Sequence, residues 1–120
     1  MPHANLPQRV RDLVAQRADF RCEYCLLAEA DSYFAHEVDH IISRKHGGSD
    51  ELHNLAYACI ACNRYKGTDI GSLALSERFV RFFNPRADKW GKHFKLVGPE
   101  IIPLPRSHRF AIGAHPVSRL

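Results

Sequence analysis

The sequence contains two short stretches of the form Cys-x-x-Cys, namely Cys22-Glu-Tyr-Cys25 and Cys59-Ile-Ala-Cys62. Two residues between cysteines let a tight turn direct both sulfurs at one tetrahedral ion, with Zn–S distances of about 2.3 Å. Two such pairs predict one structural zinc site, closed because four thiolates fill the coordination shell. The 33 residues between Cys25 and Cys59 exceed the spacing of a simple zinc ribbon, so a folded unit must lie between the pairs.

Two other uses of the cysteines compete with zinc: disulfides in a secreted protein, and a thioredoxin-like redox pair. The first twelve residues carry Arg9, Arg11 and Asp12 and lack the apolar core of a signal peptide. One redox motif would also leave the second pair unexplained. Zinc in a reducing compartment is therefore favoured, and we expect the chain in the cytoplasm, or in the nucleus of a eukaryotic host.

Composition indicates a globular protein of one domain plus a tail. The chain has 120 residues, of which 45% are hydrophobic and 25% charged. Its longest stretch without a charged residue is 12 residues, too short for a membrane span of about 20. The net charge of +4 mildly favours a polyanionic partner, and eight histidines favour site chemistry.

Local patterns predict the secondary structure around the cysteine pairs. A helix with Asn5 as its cap and Pro7 in its first turn is expected over residues 7–18. Alternation and strand-forming residues predict strands at 34–42, 55–58 and 94–97, a helix at 61–66 that ends at Gly67, and either helix or strand at 78–83.

A series of polar motifs lies between and just after the cysteine pairs. The chain reads EVDHII at 37–42, HGG at 46–48, NL at 54–55 and CNRYKG at 62–67. With RADFRCEYC, EVDHIISRKHGGSDELHNL and CIACNRYKG in this order, residues 18–69 resemble the HNH endonuclease family in its four-cysteine zinc form.

This resemblance implies a small α+β fold, the ββα-metal (HNH) finger, in which two antiparallel strands and a helix hold one divalent cation. A structural zinc staples the finger, an N-terminal helix precedes it, and an extended C-terminal tail follows. We assign residues 1–97 to the nuclease domain, with its core motif at 18–69. Residues 98–120 form the basic, proline-containing tail, to which the resemblance gives no function.

The resemblance also implies roles for four residues. His40 matches the general base, and Asn54 the residue that holds the loop and orients the base. Asp39 and Asn63 match the ligands of the catalytic cation, which would be Mg²⁺ or another divalent ion such as Mn²⁺ or Ni²⁺. The implied activity is that of a metal-dependent DNA endonuclease or nickase that leaves a 5′ phosphate and a 3′ hydroxyl.

The chemistry of these side chains agrees with the implied roles. A neutral imidazole can accept a proton from water near pH 7, and carboxylate and amide oxygens suit a hard cation. Purely structural roles are the alternative: Asn54 could cap a turn, and Asn63 could cap the helix. His36 and Glu37 receive no role, because family members often carry a histidine at the position of Glu37.

Basic residues beside the motif are candidates for contact with DNA phosphates. Such contacts require only charge and reach, so binding is expected to be largely independent of sequence and sensitive to salt. The candidates are Arg44, Lys45, His46, Arg64 and Lys66. A solvated charged loop is the competing interpretation.

Geometry adds one further expectation. In a regular strand Asp39 and His40 would point to opposite faces, yet the implied mechanism needs both at one phosphate. We therefore expect the strand to end or bulge within residues 39–41.

A zinc-stabilised nucleic-acid-binding module without catalysis is the alternative function. Binding alone does not require Asp39, His40 and Asn63 together, so their combination favours the nuclease. The sequence leaves open the biological role, the target sequence, the preferred metal, the choice between DNA and RNA, the oligomeric state and the function of residues 98–120.

Overall fold

The computed structural model describes residues 6–73, 77–105 and 107–112. Its helices and strands are short and form a small α+β fold, as expected. The helices are α1 (Gln8–Arg17), α2 (Ile60–Lys66) and α3 (Trp90–His93). The strands are β1 (Glu37–His40), β2 (Leu55–Ala58), β3 (Gly71–Leu73), β4 (Phe79–Arg81), β5 (Phe94–Val97) and β6 (Glu100–Pro103).

Strands β1 and β2 and helix α2 form the ββα unit. The strands pair antiparallel, from Glu37 opposite Ala58 to His40 opposite Leu55. Cys59 caps α2 directly after β2, and Gly67 ends the helix at a positive φ of 54°. This immediate succession brings α2 against β1, so side chains of the strand and the helix face each other.

Strand β1 is shorter than the predicted strand at 34–42. Tyr33 and Phe34 are exposed, and the amide of the buried His36 donates to the side chain of Glu29 and not to a strand carbonyl. After His40, the amide of Ile42 donates to the side chain of Asn54 and not to a strand carbonyl. The amide of Ile41 still donates to the backbone carbonyl of Asn54 at 2.8 Å, and the strand itself ends at His40.

Two apolar clusters support the ββα unit. The first surrounds the four cysteines and contains Tyr24, Phe83 and Phe94. The second packs α1 on the β1–β2 pair and contains Val14 and Leu55. The guanidinium of Arg17 reinforces the second contact by donating to the carbonyls of Leu52 and Leu55. The predicted helix cap, Asn5, lies outside the described residues.

The C-terminal region differs from the expected extended tail. Strands β5 and β6 form an antiparallel hairpin, with Phe94 opposite Pro103 and Gly98 at a positive φ in its turn. Ile101 and Ile112 are buried in the cluster around the cysteines. The proposed boundary after residue 97 therefore cuts through a hairpin. Residues 98–105 and 107–112 pack with the domain, because apolar side chains interrupt the basic, proline-rich sequence. Residues 113–120 lie outside the described part.

The ambiguous segment at 78–83 contains strand β4. It pairs with β3, where a Cβ on Gly71 would lie 2.4 Å from the carbonyl oxygen of Val80. A larger residue at that position would separate the two strands. Within the described ranges, no helix has the length and apolar character needed to cross a membrane.

Candidate metal centre and active site

The four cysteines meet at one buried point. Their sulfur atoms all lie within 4.8 Å of one another, and the Cys25 and Cys59 sulfurs are 3.8 Å apart. A tetrahedral zinc with Zn–S bonds of about 2.3 Å requires sulfur separations of about 3.8 Å. All four thiols are free of disulfides. The cluster therefore fits a structural zinc, as the sequence predicts.

Within each cysteine pair, a backbone amide forms a hydrogen bond to the sulfur of the first cysteine. The amide of Cys25 donates to the sulfur of Cys22, and the amide of Cys62 donates to the sulfur of Cys59, both at 3.4 Å. Amide donors favour thiolate, which is the form that binds zinc.

Trp90 connects the zinc centre to the C-terminal part of the chain. Its indole Nε1 donates to the carbonyl of Tyr24 at 3.0 Å, within the first cysteine turn. The Trp90 ring also packs on Phe94, which is fully buried. Zinc binding and the packing of α3 and β5 therefore support each other.

The α2-facing side of β1 carries two carboxylates. Glu37 Oε1 accepts from Asn63 Nδ2 at 2.6 Å. Asp39 Oδ2 accepts from the hydroxyl of Tyr24 at 2.6 Å, and Asp39 Oδ1 from Lys66 Nζ at 3.3 Å. Strand and helix thus form two adjacent pairs, Glu37 with Asn63 and Asp39 with Lys66.

Lys66 does not have the predicted position for contact with DNA. Its side chain is 2% exposed, and its ammonium also donates to the carbonyl of His40 at 2.8 Å. An ammonium held by Asp39 and His40 inside the fold is not available to an external phosphate. This prediction is wrong, because α2 turns Lys66 inward to balance the buried carboxylate.

Asp39 is enclosed rather than open to solvent. Burial raises the pKa of Asp39, and the Lys66 ammonium and the Tyr24 hydroxyl oppose that rise by stabilising the carboxylate. A carboxylate offers about four acceptor positions. Tyr24 and Lys66 therefore occupy part of the acceptor capacity of Asp39.

His40 lies at the end of β1 and contacts the following loop. Its Nε2 lies 2.8 Å from Asp50 Oδ1, and Arg44 donates to both oxygens of Asp50 at 2.9 Å. The imidazole is 3% exposed, and its Nδ1 is buried. His40 is therefore fixed by a carboxylate that is itself held by a guanidinium.

Asn54 is buried and closes the loop between β1 and β2. Its Oδ1 accepts from the amide of Ile42 at 2.9 Å, and its Nδ2 donates to the carbonyls of Ile42 and Ser49 at 2.9 and 2.8 Å. Gly48 is required here, since a Cβ would lie 1.7 Å from the Ile42 carbonyl oxygen. Asn54 therefore holds the loop, whereas Asp50 contacts the imidazole.

Replacing Asn54 by alanine should destabilise the zinc-loaded protein by about 3 kcal/mol. The reason is that partly buried backbone groups of Ile42 and Ser49 would lose their partners, each at about 1–3 kcal/mol. Asn54→Asp should destabilise the protein by a similar amount, because a carboxylate cannot donate hydrogen bonds to the two carbonyls. Denaturant unfolding measures the loss, with exposed His53→Ala as the control. Wild-type stability of both Asn54 variants would contradict this account of the loop.

The predicted end of the strand is confirmed, since β1 ends at His40. Pairing is nevertheless regular up to that residue, so Asp39 and His40 alternate in direction. Their contacts agree with this: Asp39 bonds Tyr24 and Lys66, and His40 bonds Asp50. The ending of the strand therefore leaves the two side chains with separate partners.

The remaining candidates for phosphate contact are exposed. They lie in the 3₁₀ turn after β1 and on the outer side of α2, and they are Arg44, Lys45, His46 and Arg64. Arg44 already binds Asp50, so only part of its hydrogen-bonding capacity is directed to solvent.

Three contacts of the site were not predicted from the sequence: Tyr24 with Asp39, Glu37 with Asn63, and Asp50 with His40. Glu37 and Asp39 are two residues apart on one strand, and this spacing alone places them on one face. Tyr24 and Asp50 are distant from their partners in sequence, and no local pattern indicates them.

The donor set fits a hard divalent cation in its chemistry. Asp39 and Glu37 supply carboxylates and Asn63 supplies an amide, the oxygen donors that Mg²⁺ and Mn²⁺ prefer. Lys66 already compensates part of the negative charge on Asp39.

Comparison with known proteins supports the resemblance seen in the motifs. Residues 22–69 match the family model described as HNH endonuclease. No match was found to a curated protein or to a solved structure. The matched segment begins at the first zinc cysteine and contains β1, β2 and α2. The segment that matches the HNH endonuclease model therefore contains the four cysteines that are placed to form a zinc site.

Proposed function

We propose that this protein is a metal-dependent DNA endonuclease or nickase. The supporting observation is the placement of Asp39, His40 and Asn63 within the matched HNH segment. There β1 carries the first two residues, and α2 brings Asn63 against the same strand. A module that only binds nucleic acid has no need for this combination.

His40 is the proposed general base. One proton passes from water to the imidazole, the water oxygen attacks phosphorus, and the bond to the 3′ oxygen breaks; the leaving oxygen then takes a proton from solvent to become the 3′ hydroxyl. Proton transfer of this kind typically contributes about 10²–10⁴-fold to the rate. Because the imidazole is 3% exposed, a local movement must admit the attacking water.

Asp39 and Asn63 are the proposed ligands of the catalytic cation, and Glu37 is close enough to Asn63 to position its amide. When bound, the cation would stabilise negative charge on the phosphate and on the leaving 3′ oxygen. Lys66, by holding Asp39, keeps the carboxylate in place and moderates the negative charge of the site.

DNA is the proposed partner, bound largely without sequence preference. The exposed basic groups Arg44, Lys45, His46 and Arg64 and the net charge of +4 favour contact with phosphates. The four free thiols suit a reducing compartment, so we place the protein in the cytoplasm.

A plasmid assay tests this proposal. Zinc-loaded protein is incubated with supercoiled DNA and Mg²⁺ or Mn²⁺, and the products are treated with DNA ligase. Open circles that ligase reseals are expected, because ligase requires a 5′ phosphate beside a 3′ hydroxyl. DNA that shifts in a gel without being nicked would instead indicate the non-catalytic binding module.

A further inference from the structure

Asp50 is a carboxylate that the described structure places against the candidate base. It lies in the loop after β1, ten residues beyond His40, and its Oδ1 is 2.8 Å from His40 Nε2. The partner of Asp50 on its other side is Arg44, which donates from Nε and Nη2 to the two carboxylate oxygens at 2.9 Å. This bidentate arrangement fixes the plane of the carboxylate.

The direction of the hydrogen bond follows from charge. Asp50 is half-exposed, and hydrogen bonds from Arg44 and then His40 lower its pKa, so it is ionised near neutral pH. An ionised carboxylate only accepts hydrogen bonds, and therefore His40 Nε2 must carry the hydrogen. In a neutral imidazole the other nitrogen, Nδ1, is then the one that can take a proton.

Asn54 cannot perform this task in the described structure. Both of its polar atoms are engaged by the backbone of Ile42 and Ser49. Its contribution is to the shape of the loop that carries Asp50. Support of the loop and orientation of the base thus belong to two different residues.

We propose that Asp50 is the positioning residue of His40: it holds the Nε2–H and leaves Nδ1 to receive the proton of the attacking water. The resulting imidazolium keeps its Nε2–H on Asp50, and the water oxygen becomes part of the 5′ phosphate product. This inference rests on the proposed nuclease function. Carboxylate partners of metal-bound histidines contribute about 10–100-fold, and we expect Asp50→Ala to slow nicking by a similar factor.

Glu51 supplies a matched control. It is the next residue in the same loop, is exposed, and lies 3.9 Å from the exposed His53. Asp50→Ala and Glu51→Ala remove the same charge from the same region, so a general effect on DNA attraction would appear in both. A positioning effect should appear only in Asp50→Ala, as a loss of turnover measured at saturating DNA, where a change in affinity from the release of Arg44 does not contribute.

Nuclear magnetic resonance of the His40 ring separates orientation from activity. The zinc-loaded protein is labelled with ¹⁵N and measured without DNA or added cation. A hydrogen-bonded Nε2–H signal of His40 is expected in wild type and Glu51→Ala, and its loss is expected in Asp50→Ala. Persistence of that signal in Asp50→Ala, or an equal loss of nicking in Glu51→Ala, would overturn the proposal.

The two proposals fail in distinguishable ways. A folded wild-type protein that never nicks DNA would refute the nuclease function and with it any part for Asp50 in the reaction. Active wild-type protein with undiminished nicking by Asp50→Ala would refute the positioning role alone. Zinc content and thermal unfolding of each variant confirm that the comparison is between folded proteins.

Discussion

Serine in place of Cys59 is expected to abolish zinc binding and to unfold the domain. The cysteine sulfurs converge within 4.8 Å at the centre of the larger apolar cluster. Structural zinc contributes about 10–16 kcal/mol in zinc-finger peptides, whereas whole domains are stable by about 5–15 kcal/mol. Loss of the zinc ion should therefore cost about as much free energy as the whole free energy of unfolding of the domain.

Circular dichroism during heating and metal analysis measure this effect. Wild type should contain one zinc per chain and unfold cooperatively, and Cys59→Ser should contain none and show no transition. Ala61→Ser is the matched control, because it adds a hydroxyl within the same Cys59–Cys62 turn without removing a ligand. Retention of zinc and of the wild-type transition by Cys59→Ser would show that the cysteines are not a structural zinc site.

Strands that carry a clear local pattern could be predicted from the sequence. The segments at 55–58 and 94–97 are the strands β2 and β5 with unchanged limits. The four-cysteine site could also be predicted, since its ligand spacing is fixed by the geometry of zinc. These features depend on neighbouring residues or on one strong chemical constraint.

The orientation of Lys66 shows why site residues are harder to predict. Its place among basic residues favours contact with DNA, but Cys62 and Lys66 are one helical turn apart and share a face. Because Cys62 points to the zinc, Lys66 must also point inward, where Asp39 receives it. Helical periodicity relative to the cysteines would have excluded Lys66, whereas it leaves Arg64 on the exposed side.

The C-terminal region shows that packing between distant segments is also hard to predict from sequence. Basic residues and prolines around residues 98–112 are typical of an extended tail, yet Ile101 and Ile112 bury themselves beside the zinc cluster. Only the position of distant partners, such as Phe82 pairing with Phe110, reveals that packing. The contact of Asp50 with His40 depends in the same way on the path of a loop.

The separate partners of Asp39 and His40 bear directly on the mechanism. The carboxylate of Asp39 accepts hydrogen bonds from Tyr24 and Lys66, whereas the imidazole of His40 is hydrogen-bonded to Asp50. Metal binding and proton transfer would therefore be supported by different parts of the finger, with β1 as their common backbone. DNA must contact both sides of the end of this strand for the two groups to act on one phosphodiester.

Loss of the base should have the largest effect on the reaction itself. His40→Ala is expected to slow nicking by about 10²–10⁴-fold, because the variant lacks the proposed acceptor of the proton of water. Zinc content and DNA affinity should remain those of wild type, since His40 is neither a cysteine ligand nor an exposed cation. His53→Ala provides the control, as it removes an exposed histidine from the same loop.

The rate of plasmid nicking by His40→Ala, measured beside wild type with enzyme in excess over DNA and with saturating Mg²⁺ or Mn²⁺, is the most direct test. We expect rapid nicking by wild type and by His53→Ala, and a residual rate at least about a hundredfold lower for the zinc-loaded His40→Ala protein. Equal rates for wild type and His40→Ala would show that His40 is not the general base.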